Sequence, residues 1–445
     1  MKTKNKFGII LPIVLCSYFL ILLNNSLVFT STVQISQELH MDSLMMAWVS
    51  NAYALTFGGF LAFSARLGDI LNRKTVLLSG LLIFGVASLL VALSPNQAFL
   101  IAMRALQGIG GALLAPATLA LLMDTYTDKM LTRAIAYYGA TAGIGASLGL
   151  IIGGLITSYS SWRNGFYLDV LVTVILFLMS ARYVHSTNQQ KSQATIDWWG
   201  TLTSIIGFSS LVYSINGTAF RKTALLLTLI SLINFVLIEN KVKNPIMPLV
   251  IVKDNQRASA LIARFFMLGA SMSYFFLMPQ ALQKVFGLTP LMAAVFFLPL
   301  TVVQFIVSLY VARLTFKTSN TTVLILGALI DTFGLGLGAF LGIENGYLIG
   351  VALPMIFIGI GQGLIMSLLT VAGVANIPDE IAGAASGAVN TVHQIGGAVG
   401  LAIVSVASAS IKAPSAMIDH AQLWMFFLAV IMTLACLNVL RGPHE

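Results

Sequence analysis

The chain has 445 residues, of which 9% are charged and 58% apolar. Soluble domains carry roughly 25% charged residues, so a soluble fold is excluded, as is intrinsic disorder; with only two cysteines, Cys16 and Cys436, so is a disulfide scaffold. The net charge of +9 is spread between apolar runs, which points to a polytopic membrane protein and away from nucleic acid.

A helix needs roughly 20 mostly apolar residues to cross a bilayer. Fourteen such runs follow one another, near 8–30, 46–65, 75–94, 98–122, 134–158, 163–184, 199–216, 222–240, 258–283, 290–312, 320–342, 346–370, 381–408 and 420–440. None shows the ten-residue alternation of a transmembrane β-barrel. Lys2, Lys4 and Lys6 precede the first run as in a signal peptide, but no small-residue cleavage site follows and Asn24 and Asn25 interrupt the apolar stretch. The run is therefore read as span 1. Both cysteines lie within apolar runs and are expected as small core thiols.

With the N-terminus inside, the cytoplasmic segments hold 17 Lys and Arg residues and the outer segments hold 5, namely Arg163, Arg221, Lys222, Lys284 and Lys412. The bias predicts both termini in the cytoplasm and an even number of spans. Ala65-Arg66-Leu67 after span 2 is echoed by Ala312-Arg313-Leu314 after span 10, a faint repeat of the kind transporters carry. A polar stretch from Ser186 to Lys191 reads as a linker, and Glu239 to Arg257 as a charged loop. The expected plan is an N-terminal six-helix bundle over 1–185, linkers and a two-helix insert over 186–257, and a C-terminal six-helix bundle over 258–445. Glycines such as Gly108, Gly110 and Gly111 cluster inside spans, where they serve close static packing or a sliding interface.

Several motifs in order resemble the major facilitator superfamily, specifically its 14-span drug:proton antiporter branch. The loop from Ala65 to Lys74 is similar to the family's G-x-L-a-D-r-x-G-R-K loop, and Arg104 to Gly110 to its R-x-x-Q-G-x-G motif. Gly143 through Gly154, with Gly149 and Gly153, resembles the antiporter motif of span 5, and Trp162-Arg163 follows as in the branch. Pro279 to Gln283, Gly287, Pro290, Pro299 and the segment from Gly383 to Gly400 also fit. The departures are specific. Asn24 stands where the branch has an acid in span 1, Leu150 replaces the motif proline, and Asp169 replaces an asparagine in span 6. The resemblance implies that Asp69, Arg73 and Lys74 form a gating loop that latches the bundles in an outward-facing state. It also implies substrate contacts on spans 1, 4, 5, 9, 10 and 13, for which Tyr18, Asn24, Gln107, Tyr274, Gln283, Phe297, Asn390 and His393 are the candidates.

Ionisable residues inside spans are costly and mark function. Asp169 and Asp331 are the acids well inside spans. Asn24, Arg104 and Asp169 each lie about six residues from the outer end of their span, or roughly 9 Å below the rim. They therefore share a layer, and an Arg104–Asp169 ion pair is expected. Two readings stand: protonation of Asp169 breaks this pairing, or a permanent pair locks the bundle. Asp331, at mid-membrane with no base at its depth, suits a proton site. Arg264 is expected to snorkel, and His393 either titrates or packs.

There is no Walker loop, no nucleotide domain, no metal-ligand spacing and no nucleophile elbow. Neither an enzyme nor a cofactor is expected. The reading is an all-α polytopic protein of the bacterial plasma membrane with 14 transmembrane helices in the major facilitator fold, working as a monomer. It would export small amphipathic or cationic compounds against protons, without nucleotide or nucleic acid. The alternatives are an exporter of one specific metabolite or lipid on the same fold, and a non-transporting membrane sensor that has lost proton coupling.

Overall fold

The computed structural model describes residues 7–185, 197–217, 219–242 and 245–439, with side chains for all of these except 69 and 379–384. The N-terminal lysines, the polar linker and Arg441 lie outside the described residues. Among the described residues there are fourteen long helices: α1 (Ile10–Glu38), α2 (Ser43–Ile70), α3 (Arg73–Ala92), α4 (Gln97–Thr125), α5 (Asp128–Tyr159), α6 (Trp162–Tyr183), α7 (Trp198–Asn216), α8 (Arg221–Glu239), α9 (Asn255–Lys284), α10 (Pro290–Lys317), α11 (Asn320–Leu341), α12 (Leu353–Gly373), α13 (Asp379–Ser408) and α14 (Pro414–Val439). A π-helical turn, Tyr347–Ala352, leads into α12. Thirteen of these are long and apolar enough to cross a membrane. The remaining one, α7, is 19 residues long and carries more Ser and Thr.

The helix starts follow from side chains written into the loops. Asp42 accepts from Met45 N at 2.7 Å, Asn72 from Lys74 N at 2.9 Å and Asn96 from Phe99 N at 2.9 Å. Asp254 and Ser319 open α9 and α11 in the same way, and Thr289 precedes Pro290 at the first turn of α10. Each cap satisfies one of the N–H groups that the first turn leaves without a partner. Within the spans, Thr30, Ser88, Ser210 and Thr228 turn their hydroxyls back onto the carbonyl four residues earlier, which lets a polar side chain sit in an apolar layer.

Lipid offers no hydrophobic drive between helices, so close backbone approach has to hold them together. Gly269 of α9 and Gly400 of α13 touch backbone to backbone. Two long seams join the first six helices to the last six. Along α5–α10, Gly154 faces Pro290 O and Leu291, and Leu291 N donates to Ser158 Oγ at 2.8 Å. Along α2–α13, Thr391 Oγ1 donates to Gly58 O at 3.1 Å and Gly58 faces Gln394. The α7–α8 hairpin lies on this second seam: Val212 packs with Ala54 and Leu55 of α2 and Ile395, Ala398 and Val399 of α13.

The helices alternate in direction, so one end carries the start of α1 and the end of α14, and the other the α1–α2 and α5–α6 connections. At this opposite end a single apolar core joins both halves, from Val28, Phe29, Met46, Trp162 and Phe166 to Phe276, Leu282, Ala294 and Phe297, and it continues along the second half through Ala263, Leu368 and Val439. At the terminal end the cores are separate. Leu11, Leu20, Leu61, Leu77, Leu121 and Tyr126 form one within the first six helices, and Ile251, Leu261, Ala385 and Val389 form another in the second half. Of the two thiols expected in the core, Cys436 is buried and Cys16 is exposed.

Candidate functional site

Five of the first six helices converge on a buried polar chain. Asn24 (α1) donates through Nδ2 to Asp169 Oδ2 (α6) at 2.7 Å. Its Oδ1 accepts from Arg104 Nη1 (α4) at 2.5 Å. Arg104 also donates to the Gln107 side-chain oxygen and, through Nε, to Val49 O of α2 at 3.0 Å. Gln107 Nε2 then donates to Ser88 Oγ of α3 at 2.7 Å. Tyr53 lies beneath the guanidinium, 4.5 Å from ring centre to Cζ. Asn24, Arg104, Gln107 and Asp169 are all fully buried.

The predicted layer is therefore real, but the predicted ion pair is not. Arg104 and Asp169 make no direct salt bridge; Asn24 stands between them, giving its oxygen to the cation and its N–H to the anion. An amide can do both at once, which a carboxylate in its place cannot. The depth argument also needs correction. α1 runs to Glu38 rather than to residue 30, so Asn24 is two turns further from its helix end than assumed. Asp169 keeps one oxygen, Oδ1, without a hydrogen-bond partner.

Asp331 of α11 is fully buried; neither carboxyl oxygen makes a hydrogen bond of good geometry, and the Gln362 side chain of α12 is its polar neighbour. Its backbone is pressed against Gly361 of α12, where an added methyl would meet Asp331 N at 2.5 Å. The adjacent Thr332 binds Ala429 O and Thr433 Oγ1 of α14.

The antiporter-motif glycines divide between two neighbours. Gly145, Gly149 and Gly153, spaced four apart, seat α5 on Leu22, Ser26 and Thr30 of α1. Gly143 and Gly154 face Phe305 and Pro290–Ala294 of α10 instead. Leu150, in the place of the motif proline, is buried in the shared core. In the gating loop, Arg73 pairs with Asp124 of α4 at 3.4 Å and Lys74 Nζ donates to Ala181 O of α6 at 2.7 Å. Both contacts stay within the first six helices. The side chain of Asp69 lies outside the described residues.

The substrate candidates scatter. Tyr18 stacks on Tyr138 at 4.1 Å. Gln283 reaches from α9 to Thr30 O of α1 at 3.3 Å, across the two halves. Tyr274 and Phe297 are buried against each other at the sealed end. Asn390 is exposed and turns back to Ser386 O. His393 Nδ1 meets Arg264 Nη2 at 3.0 Å. Arg264 does not snorkel: it is buried and bonded to α12 and α13. Tyr53, Ser88 and Val49 O, which complete the Arg104 site, carry no signal in the sequence, because an aromatic, a serine or a carbonyl in a span is ordinary.

At the opposite end, Arg163 pairs with Glu38 at 2.8 Å, donates to Ala92 O and Ser94 O, and lies over Trp162 at 4.6 Å. Trp162 Nε1 donates to the same Glu38 at 2.6 Å. This clasp ties the ends of α1, α3 and α6.

Residues 14–401 match the family model for the Major Facilitator Superfamily. The puromycin resistance protein pur8 of Streptomyces alboniger is 31% identical over 422 residues, covering 92% of this chain and 83% of that protein. The multidrug transporter protein MdtP of Bacillus subtilis (strain 168) is 28% identical, covering 81% and 68%. Among solved structures, a bacterial homologue of the human lysosomal transporter Spinster, in an inward-facing and unoccupied conformation, superposes with a TM-score of 0.71 at 14% identity over 98% of both chains.

Proposed function

Because the chain belongs to the major facilitator superfamily and is a multi-pass protein of the cell membrane, we propose that it is a proton-coupled antiporter exporting small amphipathic or cationic compounds by alternating access. The observation that carries proton coupling is the pair of fully buried carboxyls, Asp169 and Asp331, one in each half and each with an oxygen that nothing occupies. A buried carboxyl is costly to hold ionised, and a free oxygen lets it take a proton without breaking a bond already made. At Asp169, the charge change is passed through Asn24 to Arg104, which anchors α2 and α4. Protonation there loosens the join between α6 and α1, and so couples the proton to the helices expected to line the path.

The division into 1–185, 186–257 and 258–445 belongs to the same reading, as does a cytoplasmic location for both termini. With that orientation, the continuous core and the Arg163–Glu38 clasp lie on the outer side, and the conformer faces the cytoplasm. A second reading, export of one specific compound, is supported by the naming of pur8 for a single antibiotic.

The test is proton flux in proteoliposomes holding the purified protein, measured against a panel of unrelated dyes and antibiotics. Substrate-dependent proton flux with several compounds supports multidrug antiport. Flux with one compound supports the second reading. No flux with any compound removes proton coupling.

A further inference from the structure

The second half holds a cation that this mechanism does not use. Arg264, in the terminal half of α9, is 4% exposed. Its Nη1 donates to Met366 O at 3.0 Å and to Thr370 Oγ1 at 2.7 Å, both on α12. Its Nη2 meets His393 Nδ1 of α13 at 3.0 Å. Guanidinium only donates and is always charged, so His393 Nδ1 accepts and the ring proton sits on Nε2. All three partners are neutral. The Nε–H of Arg264 is buried with no partner at all.

The other in-span arginine, Arg104, has an acid one amide away. Arg264 has none: among the described residues no carboxylate lies within ion-pair distance of it. Asp379 and Glu380 open α13, but they precede His393 by more than a dozen residues, about 20 Å along the axis. A buried cation without a counter-charge is among the least favourable side chains in a bilayer, and its persistence marks a ligand pathway. Access is consistent with this, since Met366, Thr370 and His393 are each only half-buried.

We propose that Arg264, with Thr370 and His393, forms a binding site for an anionic group of the transported compound, a carboxylate or similar oxyanion. The unoccupied Nε–H edge of the guanidinium is the edge that receives a carboxylate side-on, and His393 Nε2–H supplies a further donor. Within the amphipathic class, the site favours compounds carrying an acidic group, alone or as zwitterions. The inference rests on the export reading for its meaning, but not for its test.

The probe is a matched dye pair, rhodamine 110 with its free carboxylate and rhodamine 123, its methyl ester. Binding to the full chain in lipid nanodiscs is followed by fluorescence anisotropy. Wild type should bind rhodamine 110 about tenfold more tightly, the scale of one charge-assisted hydrogen-bond pair. Arg264→Gln should abolish that preference while changing rhodamine 123 affinity by no more than about twofold, which is under 0.5 kcal/mol. Arg264→Lys should keep part of it. Equal affinities in wild type, binding of neither dye, or equal weakening of both dyes in Arg264→Gln would each overturn the assignment. If Arg264→Gln does not fold, the wild-type comparison decides, together with Thr370→Val, which should erode the preference in the same direction. Rhodamine 123 efflux from proteoliposomes under a proton gradient is scored separately, so loss of the export reading is distinguishable from loss of the anion site.

Discussion

Replacing Asn24 with leucine would test the polar chain directly. The substitution keeps similar bulk and removes both the 2.7 Å bond to Asp169 and the 2.5 Å bond from Arg104. Each bond involves a charged group and contributes about 1.5–3 kcal/mol. In water, burying leucine would recover about 1.5–3 kcal/mol, but here the alternative environment is lipid, so little is recovered. The expected loss is about 3–5 kcal/mol, the range for stranding a buried charge. Adding Asp169→Asn should return part of that loss, because a neutral amide tolerates the missing donor better than an anion. In double-mutant cycles, the Asn24–Asp169 coupling should exceed the Arg104–Asp169 coupling, since only the first pair is in contact. Arg104→Ala should cost more than Asp169→Asn, because it strands the acid and releases Gln107 and Val49 O together. The assay is reversible unfolding in mixed micelles, read as free energy. The reasoning fails if Asn24→Leu costs under about 1 kcal/mol, or if the cycle energies add to within about 0.5 kcal/mol.

Asp331→Asn keeps the side chain's size and a polar group beside Gln362, so it should leave the protein folded, and it should abolish or strongly reduce efflux driven by a pH gradient; wild-type efflux would remove Asp331 from the mechanism. If both acids carry protons, efflux of a monovalent cationic dye should respond to membrane potential at zero pH gradient. One net charge moved across 100 mV is about 2.3 kcal/mol, or a roughly 40-fold dye gradient, and voltage-independent efflux in clamped proteoliposomes would leave at most one acid as carrier. Gly149→Val should destabilise by about 1–3 kcal/mol, since its first added carbon meets Ser26 at 2.8 Å and the Leu23 backbone at 3.2 Å. Gly139→Ala, with nothing within 4 Å, should instead stabilise by up to about 1 kcal/mol through helix propensity, and a common unfolding assay compares the two.

Span positions were readable because a bilayer imposes its thickness on the sequence, and each loop carries its own cap, as Asp42 and Asn72 do. Helix ends were less so: α1 continues two turns past its apolar run because Gln34 and Glu38 bond to Trp162 and Arg163, partners no local pattern reveals. The Asn24, Arg104 and Asp169 layer was accessible from counting residues along spans. Which of the three touch was not, since contact depends on helix rotation and on what an amide can bridge. Arg264 shows the same limit. Position in a span suggested a side chain reaching for the surface, whereas Thr370 and His393, more than 100 residues away, turn it inward.

The α7–α8 hairpin makes the two seams unequal in a way that bears on how a lipid-dissolved compound gets in. At α2–α13 a membrane molecule meets a third wall, closed by Phe63 against Trp198 and Trp48 against Tyr213. Among the described residues nothing covers α5–α10 in this way, and Ile144, Leu148, Leu155, Val302 and Ile306 stand exposed on these two helices. The insert thus covers one flank of the contact between the halves, while on the other flank α5 and α10 meet acyl chains directly and close on each other through Gly143 against Phe305.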